Sequence, residues 1–130
     1  MILDSSFLVA MFLSEDGHHK EAVSASLAHK NEKWIICDRV LEETFTVLMY
    51  KRGVLFGASA IDLLKQGLGL ETCHLHPEEV VQIWENTKMA SKKISFIDQV
   101  VIYLCKKHNA QPLCFDEQII KETKSIHKNK

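Results

Sequence analysis

The chain has 130 residues, of which 46% are hydrophobic and 25% are charged, and its formal net charge is −1. These values are typical of one globular domain with a hydrophobic core of its own. They argue against a membrane-spanning helix, because no apolar run approaches the ~20 residues that a bilayer requires. No basic region precedes the first apolar stretch, so no signal peptide is predicted and the cytoplasm is the expected location.

The first half of the chain predicts two buried strands separated by helices. In chain order, we expect a strand at 1–3, helices at 6–13 and 18–30, a strand at 34–37 and a helix at 38–52. Helical spacing predicts that Ala22, Val23 and Leu27 face the core. The apolar arc of helix 38–52 consists of Leu41, Phe45, Leu48 and Met49. Gly53, after two basic residues, is expected to end this helix.

The second half continues the alternation. We expect helices at 57–66, 77–90, 95–108 and 116–124, strands at 70–75 and 112–115, and a possible fifth strand at 125–127. Pro77 suits the first turn of its helix. The tryptophans Trp34 and Trp84 lie within apolar patterns and are expected in the core. Since the chain contains no repeat and no Pro/Gly-rich linker, we expect a single domain over residues 1–130.

Short, continuously apolar strands between helices predict a parallel sheet that is covered on both faces. In such folds the ligand crevice lies beyond the carboxyl ends of the strands. Asp4 follows the first predicted strand and Asp116 follows the fourth. If these two strands are neighbours, about 4.7–4.9 Å apart, the two carboxylates can share one site.

Each acidic residue also has an ordinary structural explanation. Asp4 and Asp116 precede predicted helices, where Asp is a favoured N-cap, and Asp98 fits the acidic form of a capping box. Glu42 and Glu43 are compatible with solvated positions on the flank of a helix. Crowded carboxylates, however, repel one another, and Mg²⁺ removes that penalty because it prefers oxygen ligands. Taken together, the acids therefore indicate a divalent metal site.

Four stretches, in this order, resemble the PIN domain family, and in particular the short VapC-like ribonucleases of bacterial and archaeal toxin–antitoxin pairs. They are "MILDSSFLVAMFLSEDGHHKEA", "VLEETFTVLMYKRG", "HPEEVVQIWENTKMASKKISFID" and "ISFIDQVVIYLCKKHNAQPLCFDEQI". The resemblance implies a three-layer α/β/α fold with a central, mainly parallel sheet of four to five strands. It also implies a Mg²⁺- or Mn²⁺-dependent endoribonuclease, a homodimer and a cognate antitoxin protein.

The resemblance assigns roles to individual residues. Asp4, Asp98 and Asp116 match the acids that bind metal and catalyse, and Ser6 matches a small polar residue that helps to order the site. A fourth catalytic acid belongs on helix 38–52, where a helical wheel does not distinguish Glu42 from Glu43. The family spacing to "KRG" favours Glu43, with Glu42 as the alternative.

Basic residues flank the acidic motifs and are weaker candidates. They are Lys51, Arg52, Lys92 and Lys93. Lysine and arginine next to a metal site can follow an RNA backbone through its phosphates. An ordinary solvated face explains them equally well. The seven histidines are expected to be structural or at the surface. The four cysteines form no CxxC pair and are expected to remain free thiols.

Two other functions compete with a ribonuclease. A catalytically inactive PIN-like module would use the same fold to bind RNA or protein, but all four acidic positions are filled. A receiver domain with a nucleophilic Asp would usually place a second acid beside it, whereas Ser5 and Ser6 follow Asp4. The apolar segment 54–70 is compatible with core packing, which we favour, or with an interface.

Overall fold

The computed structural model describes residues 1–67, 69–90 and 93–127. Its strands are β1 Ile2–Leu3, β2 Trp34–Cys37, β3 Leu70–Cys73 and β4 Pro112–Leu113. Its α-helices are α1 Ser5–Phe12, α2 His19–Ala28, α3 Asp38–Arg52, α4 Val54–Gly67, α5 Pro77–Met89, α6 Phe96–His108 and α7 Glu117–Thr123. A 3₁₀ helix, Lys124–His127, follows α7.

The four strands form one sheet in the order β3-β2-β1-β4, and every neighbouring pair is parallel. The expected adjacency of the first and fourth strands is confirmed: Ile2 is in register with Pro112, and Leu3 with Leu113. Asp4 N–H extends this pairing by donating to the carbonyl of Leu113 at 3.1 Å. The chain therefore leaves β1 and β4 at the same edge of the sheet.

The core surrounds this sheet on both faces. All four residues of β2 are buried, although successive side chains of a strand point to opposite faces. Helix α6 contributes the stripe that its spacing predicted, with Val100, Val101 and Leu104 buried. Complete burial of each such side chain contributes roughly 1.5–3 kcal/mol. The expected three-layer α/β/α architecture with a parallel sheet is therefore confirmed, with four strands.

Helices α3 and α4 pack closely against each other. The buried positions of α3 are Val40, Thr44 and Leu48, while the predicted arc is only partly buried. Gly53 ends α3 with φ 93°, as expected. Helix α4 then begins at once and includes Gly57, where an added Cβ would lie 3.3 Å from Met49 N. The absence of a side chain at Gly57 thus permits the close approach of the two helices.

Three large side chains that were expected to be buried are exposed. Trp84 is 58% exposed and Leu27 63% exposed, and Val23 also lies at the surface. Helix α2 packs mainly against α1, so only Ala22 of its apolar residues is buried. Trp84 contacts Phe96 edge-on, with the ring centroids 6.5 Å apart, instead of entering the core.

The possible fifth strand at 125–127 is wrong, because these residues belong to the 3₁₀ helix Lys124–His127. The backbone stays helical at Lys124, with φ −57° and ψ −35°, so α7 passes directly into this turn. Two predicted strands are also shorter than expected: β3 ends at Cys73 and β4 at Leu113. None of the helices in the described ranges has the length and apolar character that crossing a bilayer requires.

Candidate metal and active site

Asp4 lies directly after β1 and is only 3% exposed. It is the N-cap of α1, and its Oδ2 accepts hydrogen bonds from Ser6 N–H at 3.2 Å and from Ser6 Oγ at 2.6 Å. Its other oxygen, Oδ1, is buried and has no hydrogen-bond partner among the described residues. An unsatisfied buried oxygen costs about 1–3 kcal/mol, so this atom needs an explanation beyond capping.

Ser6 connects the ends of β1 and β4. Besides donating to Asp4, its Oγ accepts a hydrogen bond from Phe115 N–H at 3.0 Å. Because Phe115 precedes Asp116, the Ser6 hydroxyl connects the loop before Asp116 to the start of α1, where Asp4 lies. Ser6 thus contacts residues that follow both strands.

Asp116 lies three residues beyond β4, and not directly after it as expected. It is the N-cap of α7: its Oδ1 accepts from the backbone N–H groups of Gln118 and Ile119, at 2.9 and 3.0 Å. The cap uses one of the two carboxylate oxygens. Capping therefore holds the side chain in one orientation without occupying all of its acceptor capacity.

Asp98 lies in the first turn of α6, where its N–H donates to Ser95 Oγ at 3.2 Å. Ser95 is therefore the N-cap of α6, as the predicted capping box requires. Burial raises the pKa of the Asp98 carboxyl, and the carboxylates of Asp116 and Asp4 raise it further. Asp98 thus shares an electrostatic environment with the acids that follow β1 and β4, although it comes from a different helix.

The structure distinguishes Glu43 from Glu42. Glu42 is exposed and borders a shallow apolar groove between α3 and α4. Glu43 is partly buried, and its Oε2 is fully covered without a hydrogen-bond partner. Burial raises the pKa of Glu43, as do the carboxylates of Asp4 and Asp98. Glu43 is thus the helical acid that faces the other carboxylates.

Asp4 shares this electrostatic environment. Burial raises its pKa above the ordinary value of 3.8, the hydrogen bonds from Ser6 oppose the shift, and the Asp116 carboxylate adds to it. We call Asp4, Glu43, Asp98 and Asp116 the acidic group. Its members come from four separate parts of the chain, and repulsion within the group disfavours ionisation of Asp4, Glu43 and Asp98.

The acidic group fits a hard divalent cation by its chemistry. Both orphaned buried oxygens, Asp4 Oδ1 and Glu43 Oε2, belong to it, and carboxylate oxygens are the ligands that Mg²⁺ and Mn²⁺ prefer. Within residues 1–67, 69–90 and 93–127, no group of three or more acidic, histidine or cysteine side chains forms a coordination shell that could hold a metal ion. A cation that keeps several water ligands does not require such a shell.

The basic candidates that the structure describes lie on the surface. Arg52 is paired with Glu15 through two hydrogen bonds, at 3.0 and 2.6 Å, and stacks over the Phe56 ring at 5.6 Å. Lys51 and Lys93 are exposed. Lys92 lies outside the described residues. Arg52 thus already has an acidic partner, whereas the positions of Lys51 and Lys93 leave them accessible to solvent.

Sequence patterns did not predict the aromatic contacts beside the acidic group. The His18 ring stacks on Phe115, with centroids 4.4 Å apart and planes 8° apart, and Phe115 in turn stacks on Phe7 at 6.2 Å. Residues 112–115 were expected to form a strand, but Phe115 lies in the loop after β4. No local signal reveals this contact, because it joins two loops that are far apart in the chain.

Comparisons with known proteins agree with this fold. A solved structure of the Mycobacterium tuberculosis toxin VapC20, described as cleaving the sarcin–ricin loop, superposes with a TM-score of 0.80. It is 22% identical in sequence, and the match covers 91% of each chain. No curated protein sequence matches the chain. The family model of the PIN domain matches residues 1–124, and the chain therefore belongs to the PIN domain family.

Proposed function

We propose that this chain is a Mg²⁺- or Mn²⁺-dependent endoribonuclease that hydrolyses RNA phosphodiester bonds. The observation that carries the proposal is the acidic group, with two buried carboxylate oxygens that have no hydrogen-bond partner. Such a cluster costs stability in the absence of a cation. A site that a fold maintains against this cost is typical of catalysis.

Family membership supports the same proposal. PIN domain relatives supply the acidic pattern that the sequence resembles, and VapC20, which shares this fold, is described as an RNA-cleaving toxin. We extend this description to the present chain and propose that it is the toxin of a type II toxin–antitoxin pair. A cytoplasmic location follows from the proposed RNA substrate.

In the proposed mechanism, Asp4, Asp98 and Asp116 would hold the cation and Glu43 would assist them. A bound Mg²⁺ or Mn²⁺ would supply positive charge to activate water and to offset the charge that develops on the phosphodiester. Ser6 donates to Asp4 Oδ2 and so holds the Asp4 side chain in place, which leaves Oδ1 available to the proposed cation. The α7 cap orients Asp116 in the same way. These contacts preorganise the acids before substrate arrives.

Partners form a further part of the proposal. Helices α3 and α4 expose several large apolar side chains, among them Tyr50, Leu55 and Leu63. Exposed apolar surface of this kind favours an interface. We propose a homodimer and a cognate antitoxin as the proteins that cover such surfaces. Lys51 and Lys93, with Arg52 and Lys92 as weaker candidates, would contact the RNA backbone.

The proposal is tested by RNA cleavage with the wild type and with Asp4→Asn. A labelled single-stranded RNA is incubated with Mn²⁺, with Mg²⁺ and with a chelator. We expect cleavage only with metal, and a loss of at least ~100-fold in Asp4→Asn, as is typical when one preorganised charge is removed. Asp62→Asn serves as the matched control, because Asp62 is an exposed acid outside the acidic group.

Two outcomes would contradict the proposal. Equal cleavage by the wild type and Asp4→Asn would mean that a contaminating nuclease acts in the preparation. RNA binding without cleavage, together with no Mn²⁺ binding by calorimetry, would favour the catalytically inactive binding module. Calorimetry thus separates metal binding from turnover, and Asp98→Asn is expected to weaken Mn²⁺ binding in the same titration.

A further inference from the structure

Two cysteines lie side by side at the carboxyl ends of β2 and β3. Cys37 and Cys73 are in register on these neighbouring parallel strands, and both are free thiols. Side chains of residues in register on adjacent strands point to the same face of a sheet. The sequence does not reveal this pair, because its members lie far apart in the chain and match no known spacing.

The strand pairing satisfies the distance requirement of a disulfide. Neighbouring strands lie about 4.7–4.9 Å apart, and disulfides usually join Cα atoms about 4.4–6.8 Å apart. No rearrangement of the sheet is therefore needed to bring the two cysteines within bonding range. Because β3 is an edge strand, its carboxyl end can adjust to complete the bond.

The two thiols differ in access and in acidity. Cys73 is partly exposed on the edge strand, whereas Cys37 is fully buried. Hydrogen bonding with Cys37 lowers the pKa of Cys73. The neighbouring Cys73 sulfur and burial both raise the pKa of Cys37, which stays protonated. By contrast, burial raises the pKa of Cys105 to about 12, so that thiol is unreactive.

A proton acceptor lies beside the buried thiol. Cys37 Sγ donates to Asp38 Oδ1 at 3.3 Å, and Asp38 Oδ2 lies 2.9 Å from His74 Nδ1. His74 follows Cys73 directly, so the contacts connect the two ends of the thiol pair through Asp38. The carboxylate can thus accept the proton that Cys37 must release when it forms a bond to sulfur.

We propose that Cys37 and Cys73 form a peroxide-sensitive modification site. The Cys73 thiolate attacks one oxygen of hydrogen peroxide, the O–O bond breaks, and Cys73 becomes a sulfenic acid while hydroxide leaves and takes up the proton that Cys73 lost. The Cys37 sulfur then displaces the sulfenic hydroxyl, which leaves as water with the proton that Cys37 gives up through Asp38. Overall, two thiols are oxidised to one disulfide and one peroxide is reduced to two waters.

This modification is independent of the proposed ribonuclease activity. The acidic group does not include Cys37, Asp38, Cys73 or His74. The disulfide would form whether or not the chain cleaves RNA. Its position still matters structurally, because Cys37 immediately precedes α3, the helix that carries Glu43. The disulfide would join the start of this helix to the edge strand β3.

Peptide mapping of the full chain tests the proposal. The protein is treated with hydrogen peroxide, its remaining thiols are alkylated, and it is digested with trypsin without reduction. We expect one linked species that contains peptides 34–39 and 66–88, with Cys105 and Cys114 still alkylated. Dithiothreitol should reverse the link. A disulfide between any other cysteines, or between two copies of the chain, would overturn the proposal.

Two variants separate the roles of the thiols. In Cys37→Ser, Cys73 should accumulate as a sulfenic acid that dimedone traps, whereas Cys73→Ser should show neither dimedone labelling of Cys37 nor a disulfide. Cys114→Ser is the matched control and should form the Cys37–Cys73 link at the wild-type rate. Because Cys37 is buried, circular dichroism should verify that its variant is folded. If Cys73→Ser oxidises at Cys37 as rapidly as the wild type, the assignment of Cys73 as the attacking thiol is wrong.

Discussion

The environment of the Glu79 carboxylate differs from that of the acidic group in ways that affect stability. Glu79, on α5, has partners for both oxygens: Oε1 accepts from His76 N–H at 3.1 Å, and Oε2 accepts from Tyr103 OH at 2.7 Å and Lys107 Nζ at 3.0 Å. These contacts lower the pKa of Glu79 to about 2. In the acidic group, Asp4 also accepts hydrogen bonds from Ser6, but burial together with repulsion from neighbouring acids raises the pKa of Asp4, Glu43 and Asp98.

The comparison separates structural from functional acids. Glu79 joins α5 to α6 through neutral and cationic donors, so its charge stabilises the fold. The acidic group instead concentrates negative charge at the edge where β1 and β4 end. Asp4 and Asp116 cap α1 and α7, but capping does not require four acids in one place. The difference supports the proposed catalytic role of the acidic group.

The largest expected effect distinguishes two adjacent residues. Glu43→Gln should reduce metal-dependent RNA cleavage by roughly 10²-fold, the size expected when one charged group of a catalytic site is neutralised. Glu42→Gln, the matched control one position earlier on α3, should leave cleavage near the wild-type rate because Glu42 is exposed. Initial rates with labelled RNA measure both. Equal losses of cleavage in the two variants would show that a change in helix α3, and not the loss of the Glu43 carboxylate, lowers the rate.

A smaller effect concerns the stability of the metal-free protein. Asp4→Asn should raise the free energy of unfolding by about 1–2 kcal/mol, because it removes a buried charge with an unsatisfied oxygen and keeps an acceptor for Ser6. Since the folded pKa of Asp4 lies above its ordinary value of 3.8, the gain should be greatest above that raised pKa and vanish below about 3.8.

Urea unfolding in the presence of a chelator measures this gain at several pH values. Asp62→Asn, an exposed substitution of the same type, should change stability by no more than about 0.5 kcal/mol. If Asp4→Asn instead destabilises the metal-free protein, the hydrogen bonds to Ser6 outweigh the burial of charge, and the contrast with Glu79 fails.

The smallest effect concerns Glu79 and has the opposite sign. Glu79→Gln should lower the free energy of unfolding at pH 7 by about 1 kcal/mol, since its partner Lys107 is partly exposed and the pair is screened by solvent. The folded pKa is depressed from 4.5 to about 2, so this contribution is fully present above 4.5 and is lost as the pH falls toward 2.

Unfolding curves of Glu79→Gln and the wild type at pH 7 and near pH 2.5 measure the difference. The two proteins should approach equal stability at the lower pH. Glu85→Gln provides the control, because Glu85 forms only an exposed pair with Lys88 on the same helix. A difference between Glu79→Gln and the wild type that does not depend on pH would mean that packing, and not charge, explains the role of Glu79.

Local patterns predicted the elements that depend on local chemistry. Helix α3 has the predicted bounds, Gly53 ends it in a left-handed conformation, and Pro77 begins α5. The N-caps Asp4, Ser95 and Asp116 were also predicted, because a capping side chain bonds to backbone only two or three residues away. Such interactions are encoded by neighbours in the chain and can be inferred without knowledge of the fold.

The burial of apolar side chains on the helices could not be inferred in the same way. Leu27 and Trp84 have the spacing of core residues, yet both are exposed. An amphipathic pattern shows which face of a helix is apolar, but the neighbouring elements decide how much of that face is covered. The prediction of a fifth strand at 125–127 is wrong for a related reason. A short apolar stretch becomes a strand only if it pairs with a sheet edge, and residues 125–127 instead continue α7.

By itself, the sequence determined the alternation of strands and helices, the acids at the end of β1 and the start of α6 and α7, and the resemblance to the PIN domain family. The tertiary structure decided which groups meet. It placed β4 beside β1, so that Ser6 contacts Phe115, and it buried an oxygen of Glu43 while leaving Glu42 exposed. It also aligned Cys37 with Cys73. Strand order and register arise from packing between distant segments, which no local pattern contains.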